Sequence, residues 1–167
     1  MKKNLFTFIV LSLFAAVIWV SPNVSAATKN IAAPFDIGTN WYICQGYNSN
    51  GTHSGNSRLG LDLTGGPNCD SSASGRTVRA PFAGTVSWIT DASGSVCISS
   101  RDGRSVMLTH INPSTVRGAT VSTGQAVGSI AASGQKQNNG VAHLHFQAWS
   151  GSGCGGFSKS RPFFLKN

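Results

Sequence analysis

The chain has 167 residues and a formal net charge of +8 at pH 7, with 13 lysine and arginine residues against 5 acidic ones. All 5 acidic residues are aspartates, so motifs that need glutamate, such as the H-E-x-x-H zinc motif, are excluded. The basic residues are scattered, and the absence of a lysine or arginine run argues against a nucleic-acid-binding protein.

The beginning of the chain, residues 1–26, predicts a secretory signal peptide. Lys2 and Lys3 form a basic start, residues 5–20 are apolar, and a small-residue cleavage pattern ends at Ala26. A transmembrane helix is the alternative, but the apolar stretch is short for a span and stops just before the cleavage pattern. We therefore expect a secreted or periplasmic mature chain of residues 27–167, which forms a single domain and has no stable membrane association.

The mature chain remains basic after cleavage. Without the two lysines of the signal peptide the formal charge falls from +8 to +6, since 11 basic residues remain against 5 acidic ones. A basic secreted protein is suited to polyanions, and outside a bacterial cell these include teichoic acids and other anionic wall polymers. The alternative is that the charge only keeps the protein soluble.

All four cysteines lie in the mature chain, and none forms a C-x-x-C pair. Two disulfides are therefore expected in an oxidising compartment. Three pairings are possible, and the sequence does not choose between them. We favour Cys44 with Cys69, because this bridge would close the loop that carries His53, and then Cys97 would pair with Cys154.

Short apolar runs separated by glycine-rich turns predict an antiparallel all-β domain, a single sheet or sandwich with little helix. The runs cover residues 77–80, 84–89, 96–98, 105–109, 126–130 and 141–149. Asp102-Gly103 marks a hairpin that pairs residues 96–98 with 106–108. One short helical turn is expected within residues 112–116, where Pro113 is tolerated at a helix start.

His143 and His145 are the most informative residues, because side chains two positions apart on a strand point to the same face. The alternative is that one or both of them are ordinary half-buried strand residues that make a single backbone hydrogen bond. His53 and His110 are the only other histidines. The polar loop at residues 133–140 leads into the pair, and we expect it to line a groove.

A zinc hydrolase requires three protein ligands, an open position for water and a separate group that accepts a proton from that water. Without glutamate, an aspartate or a histidine has to be this acceptor. Asp62 and the four histidines are enough for three ligands and two catalytic groups. Their residue types alone do not decide which of them are metal ligands and which are catalytic groups.

Six segments in order along the chain carry a resemblance to a known family. They are His53 and residues 60–62, 79–86, 108–111, 124–128 and 143–146. These segments resemble the lysostaphin-like and β-lytic (staphylolysin-type) zinc endopeptidases, which cut peptide bridges in bacterial peptidoglycan. The eight residues between His53 and Asp62 make this gap longer than in many members, and similar to that of the staphylolysin and β-lytic branch.

The resemblance implies a role for each site residue. His53, Asp62 and His145 are similar to the ligands of one zinc ion per chain, while His110 and His143 are similar to the pair that positions and deprotonates the water. Tyr47 resembles in position a tyrosine that supports the oxyanion by donating a hydrogen bond, the alternative being a tyrosine packed at the groove rim.

The function implied is that of a secreted, monomeric zinc endopeptidase, which hydrolyses glycine- or alanine-containing cross-bridges of peptidoglycan. A bacteriolytic toxin would be one biological use of the same hydrolysis. The alternative from another class is a non-catalytic wall-binding or regulatory protein with the same fold. Such proteins lose ligands or catalytic histidines, and none of the five positions is missing here.

Overall fold

The computed structural model describes residues 31–163 and 165–166, so the signal peptide expected at residues 1–26 lies outside the described residues. Among the residues described, no helix is long and apolar enough to cross a membrane. This part of the chain forms three 3₁₀ helices, at Gly55–Ser57, Ser71–Ala73 and Phe157–Lys159. Its strands are β1 (Ile31–Ala32), β2 (Tyr42–Gln45), β3 (Gly60–Thr64), β4 (Thr77–Arg79), β5 (Gly84–Thr90), β6 (Ser95–Ser99), β7 (Arg104–Thr109), β8 (Ile111–Pro113), β9 (Thr120–Val121), β10 (Ala126–Ile130), β11 (Leu144–Ser150), β12 (Ser160–Arg161) and β13 (Leu165–Lys166).

One large antiparallel sheet forms the body of the protein. Its strand order is β2-β3-β11-β7-β6-β5-β9, and β12 pairs with the second half of β11 beyond the end of β3. A three-stranded antiparallel sheet has the order β4-β10-β8, and β1 and β13 form a two-residue parallel pair. The predicted antiparallel all-β fold with little helix is confirmed.

The hairpin predicted at Asp102-Gly103 is also confirmed, because Val96 pairs with Leu108 and Ile98 with Val106. The short helical turn expected in residues 112–116 is wrong. Ile111–Pro113 instead forms β8, which pairs with β10. The pairing gives residues 111–113 hydrogen-bond partners in β10, which the local sequence does not reveal. These tertiary contacts outweigh the local preference of Pro113 for a helix start.

The two faces of β11 have different surroundings. Leu144, Phe146 and Ala148 belong to the main hydrophobic core, together with side chains of β6 and β7 such as Val96 and Leu108. The intervening side chains point to the opposite face, as the two-residue period of a strand requires. That face carries the candidate functional residues.

Both disulfides that we favoured from the sequence are present in the structure. Cys44–Cys69 ties β2 to the segment that follows β3. Cys97–Cys154 joins β6 to the segment after β11, in a small apolar cluster with Trp149 that is separate from the main core.

Candidate metal centre

Three buried side chains meet above strands β3 and β11. Asp62 and His145 are direct partners in the register of these two strands, and His53 comes from the loop before the 3₁₀ helix Gly55–Ser57. Asp62 Oδ1 lies 3.0 Å from His53 Nε2 and 2.9 Å from His145 Nδ1, and the two nitrogens are 3.2 Å apart. The structure thus brings together the three residues that the resemblance implied as metal ligands.

The outer nitrogen of each ligand histidine already has a hydrogen-bond acceptor. His53 Nδ1 lies 2.8 Å from the carbonyl oxygen of Gly46, and His145 Nε2 lies 3.3 Å from Gln147 Oε1. An oxygen acceptor requires an N–H donor, so in the neutral rings the proton is on the outer nitrogen. The inner nitrogens of both rings then present lone pairs to the carboxylate.

This donor set fits a zinc ion. Two lone-pair nitrogens and one carboxylate oxygen repel one another at such distances unless a cation lies between them. Ligands about 2.0–2.1 Å from a tetrahedral zinc ion are about 3.3 Å from each other, close to the separations in this cluster. Two imidazoles and a carboxylate also leave one coordination position open for water.

Gln147 is a support for this centre that the sequence reasoning missed. Its Nε2 donates to the carbonyl oxygen of Asn56 and to Ser160 Oγ, and these bonds turn its Oε1 toward His145. Such partners outside the ligand set hold a ligand histidine in its tautomer and orientation. The two-residue period of β11 is the signal that could have found it, since Gln147 follows His145 on the same face.

Gly60 allows the ring of His145 to lie close to β3. A Cβ atom at this position would be 2.3 Å from His145 Cε1, which is closer than two carbon atoms can approach. The glycine is therefore required for the close approach of a side chain to the backbone, and not for a special backbone angle.

His110 and His143 lie beside the metal centre, with their ring centroids 4.7 Å apart. His110 Nδ1 lies 2.9 Å from the carbonyl oxygen of Lys136, and His143 Nδ1 lies 2.8 Å from that of Val141. In the neutral rings both Nδ1 atoms therefore donate, and both Nε2 atoms are free to accept a proton. His143 Nε2 is 3.6 Å from Asp62 Oδ2.

His110 has an unusual backbone conformation between β7 and β8. Its φ is +67°, in the left-handed region that few residues other than glycine occupy. Its main chain is held on both sides, since its N–H donates to Ser93 and its carbonyl oxygen accepts from Ala131. Strained residues of this kind are frequent at functional sites.

The pKa values of two groups follow from their surroundings. Burial lowers the pKa of His110 to about 4, so its ring is neutral near pH 7 and can accept a proton. Burial alone would raise the pKa of Asp62, but a protonated His145 ring would donate a hydrogen bond to it, and this bond with the positive charges of protonated His143, His145 and His53 outweighs burial. The pKa of this carboxyl is therefore below its usual value, and the ligand is ionised.

Asp62 and His145 line an open groove with a volume of about 1040 Å³. One wall includes residues of β2 and the following loop, such as Gln45 and Thr52. The other wall includes Gln137, Asn139 and Gly140, so the polar loop at residues 133–140 does line the groove, as expected. His143 and His145 both face this groove, although β11 begins only after His143.

Tyr47 does not line the groove. Its hydroxyl donates to the carbonyl oxygen of Phe163 and accepts from the N–H of the same residue, each at 3.0 Å. A phenol has only one O–H, so no donor is left for an oxyanion in this arrangement. The expected oxyanion role is therefore not supported, and the hydroxyl joins the loop before His53 to the end of the chain.

The chain matches the model of peptidase family M23 over residues 67–154. This range contains His110, His143 and His145, whereas His53 and Asp62 precede it. Comparison with curated protein sequences gives no match.

Several solved structures share the fold. Pseudoalterin, an M23 metalloprotease from the deep sea, is 21% identical with a TM-score of 0.61, and the match covers 81% of this chain and 76% of that one. The catalytic domain of EnpA, a prophage-encoded M23 protein of Enterococcus faecalis, is 21% identical with a TM-score of 0.57 over 77% of this chain and 93% of the other. Lysostaphin, an antimicrobial peptidase of Staphylococcus simulans, is 18% identical with a TM-score of 0.58 over 74% of this chain and 48% of lysostaphin.

The family match extends over more than half of the chain, and the structural neighbours have the same fold. The metal-ligand cluster is what a metallopeptidase requires. The protein belongs to peptidase family M23, a family of metallopeptidases.

Proposed function

We propose that the protein is a secreted, monomeric zinc endopeptidase of one catalytic domain, which hydrolyses peptide cross-bridges of bacterial peptidoglycan. The observation that carries the proposal is the meeting of His53 Nε2, Asp62 Oδ1 and His145 Nδ1 within 3.2 Å, where Asp62 and His145 also line an open groove. One zinc ion bound by these atoms supplies Lewis acidity and lowers the pKa of a water ligand toward neutrality.

His110 and His143 are the proposed proton-transfer groups. Each ring is held at Nδ1 by a main-chain carbonyl, so Nε2 is the atom that accepts a proton and later returns one to the leaving amine. The ring that has accepted this proton also supplies an N–H donor at Nε2 where negative charge develops on the substrate oxygen. With Tyr47 bonded to Phe163, this stabilisation is assigned to the histidines.

Peptidoglycan as the substrate class is supported by the relatives. Lysostaphin, which has the same fold, is an antimicrobial peptidase, and an open groove suits an extended chain. We expect glycine or alanine at the cleaved bond, because small side chains let the substrate backbone approach the metal closely. The two disulfides fit an oxidising compartment outside the cytoplasm, and the basic charge would retain the protein at an anionic wall.

The test is the release of free amines from purified peptidoglycan, with and without a zinc chelator, followed by mass analysis of the fragments. We expect release that the chelator abolishes and that added zinc restores, and the new termini would identify the bond. A folded, zinc-loaded protein that releases no amines from several wall types would contradict the proposal and favour the non-catalytic wall-binding alternative.

A further inference from the structure

A second cleft lies at the other end of β2 from the catalytic groove. It has a volume of about 590 Å³, within the range of small-ligand sites. Residues 39–42 form one side, and the other side includes Pro67 and Arg76. We refer to it as the Trp41 cleft, after the largest residue that lines it.

The aromatic part of the Trp41 cleft is held rigidly. Phe35 stacks on Trp41 with ring centroids 4.4 Å apart and an interplanar angle of 16°. The guanidinium of Arg76 lies 5.2 Å from the Trp41 ring and donates to the carbonyl oxygen of Asn40. Tyr42 adds a ring that is 37% exposed. Trp41 already contacts Phe35 and Arg76, so Tyr42 is the aromatic residue of this cleft that offers exposed area to a ligand. A rigid aromatic side chain of this kind can pack against an apolar ligand face at low entropic cost.

The polar groups of this cleft do not favour one sign of charge. Asp36 and Arg76 both line it, and Asp36 is already paired with Arg79. The side chains of Thr39, Asn40 and Thr77 add hydroxyl and amide groups. A polyanion would meet the Asp36 carboxylate, and a purely apolar peptide would cover the side chains of Asn40 and Thr77 without offering them hydrogen bonds. The mixture favours a neutral ligand with apolar faces and a rim of hydroxyl and amide groups, which is the chemistry of an N-acetylated sugar.

The Trp41 cleft lies close enough to the catalytic groove for a sugar chain with an attached peptide to reach both sites. Tyr42 lines the Trp41 cleft, while Cys44 and Gln45 of the same strand line the groove. At about 3.3 Å per residue, the two sites are separated by about 7–10 Å along β2. Ile43 lies between them and is exposed, and the Cys44–Cys69 bridge fixes this part of β2. A chain of sugars with a peptide attached could therefore occupy both sites at once.

We propose that the Trp41 cleft binds the glycan part of the substrate, a chain of β-1,4-linked N-acetylhexosamines, while the attached peptide enters the catalytic groove. This inference rests on the proposed function for its choice of glycan. Binding at both sites raises the effective concentration of the peptide at the metal. It gives this domain a means of recognising intact peptidoglycan that short peptides lack.

The test uses the β-1,4-linked hexamer of N-acetylglucosamine, a soluble glycan without peptide. In nuclear magnetic resonance titrations of the ¹⁵N-labelled protein, we expect saturable shifts of the Trp41 indole N–H and of the backbone amides of residues 39–43 and 75–77. Tyr42→Ala and Arg76→Gln should each weaken hexamer binding at least tenfold, whereas the control Arg101→Gln, an exposed residue remote from both sites in sequence, should leave it unchanged.

A kinetic comparison separates this inference from the proposed function. Both variants should hydrolyse a short glycine–alanine peptide as the unaltered protein does, but their KM for intact peptidoglycan should rise at least fivefold with kcat retained. Peptide hydrolysis without any hexamer binding, or shifts confined to the catalytic groove, would overturn the glycan site alone. Hexamer binding at residues 39–43 without peptide hydrolysis would support the glycan site and contradict the proposed peptidase. Because the shift mapping is done on the unaltered protein, the inference is testable even if a variant fails to fold.

Discussion

In each of the four site histidines, one ring nitrogen forms a hydrogen bond that orients the ring. The other nitrogen is left to bind the metal or to transfer a proton. Main-chain carbonyl oxygens hold His53, His110 and His143, whereas the side chain of Gln147 holds His145. The orientations of three of the rings are therefore part of the backbone geometry.

The division of these residues into ligands and proton-transfer groups leads to the first prediction. His145→Ala and Asp62→Ala should lose bound zinc, because each removes one of the three residues that form the metal-ligand cluster. His110→Ala and His143→Ala should retain most of the zinc and lose turnover by about 10²–10⁴-fold. Zinc content after gel filtration and amine release from peptidoglycan measure the two properties separately. Equal loss of zinc from all four variants would contradict the division.

Gly60 provides a second prediction at the scale of one residue. Gly60→Ala adds a methyl group where His145 Cε1 would be 2.3 Å away, so the ring has to move off its position. We expect the affinity for zinc to fall about 10–100-fold, as when other groups that orient a ligand are changed. Competition with a chromogenic chelator measures this affinity. The matched control is Gly155→Ala, where the nearest atom is 3.8 Å away and the affinity should not change.

At the scale of elements, the sequence predicts the strands that contain a clear apolar run, and these include β4, β10 and β11, whose partners are far away in the chain. The β6–β7 hairpin was predicted because Asp102-Gly103 lies between two apolar runs, whereas its register, in which Ser99 pairs with Ser105, was not predicted. The strands β2, β3 and β8 pair with distant segments, and neither their composition nor their length distinguishes them from loops. Their formation depends on partners far away in the chain, which a local pattern does not contain.

Prediction of the candidate site from the sequence has a similar limit, because some roles depend on distant contacts. Residue types and the resemblance identified the five groups that the structure brings together, since metal and proton chemistry restrict which side chains can serve. Tyr47 was expected from its position in the chain, but the partner that occupies its hydroxyl is 116 residues away. Gln147 and Gly60 were missed because their roles depend on how β3, β11 and β12 lie against each other.

The loop between β10 and β11 orients both rings of the proton-transfer pair, His110 and His143. Asn138 stabilises this loop by hydrogen bonds. Asn138 is fully buried, its Nδ2 donates to the carbonyl oxygens of Ala131 and His143, and its Oδ1 accepts from the N–H of His143. The same loop provides the Lys136 carbonyl oxygen that orients His110. Asn138 is thus a positioning residue for both rings.

Asn138→Ala should therefore lower kcat more than tenfold while zinc content and KM change little. Removing the amide leaves buried backbone groups without partners, which costs about 1–3 kcal/mol of stability. Chemical unfolding and steady-state kinetics on the same preparation measure both effects. Asn138→Asp keeps the acceptor for the His143 N–H and should recover part of kcat, and the exposed neighbour Gln135→Ala should have no effect. A fall in stability with kcat unchanged would show that Asn138 has only a structural role.

For the molecule as a whole, the two disulfides constrain different parts. Cys97–Cys154 closes a separation of 57 residues and lies in the small cluster with Trp149, away from the ligands. Cys44–Cys69 closes a separation of 25 residues, and the segment between its cysteines contains His53 and Asp62. Chain entropy makes both bridges stabilising, by about 4 and 3.5 kcal/mol respectively.

The two bridges should therefore differ in their effects on function. The double variant Cys97→Ala/Cys154→Ala should lose about 4 kcal/mol of unfolding free energy, and at temperatures where it is folded its zinc affinity should be unchanged. Cys44→Ala/Cys69→Ala should lose a similar amount of stability and, in addition, zinc affinity and turnover, because β2 and the loop that carries His53 are released together. Urea unfolding and zinc titration on both variants measure these effects. Equal zinc affinities in the two variants would mean that the β-sheet alone positions His53, and that the Cys44–Cys69 bridge contributes only to stability.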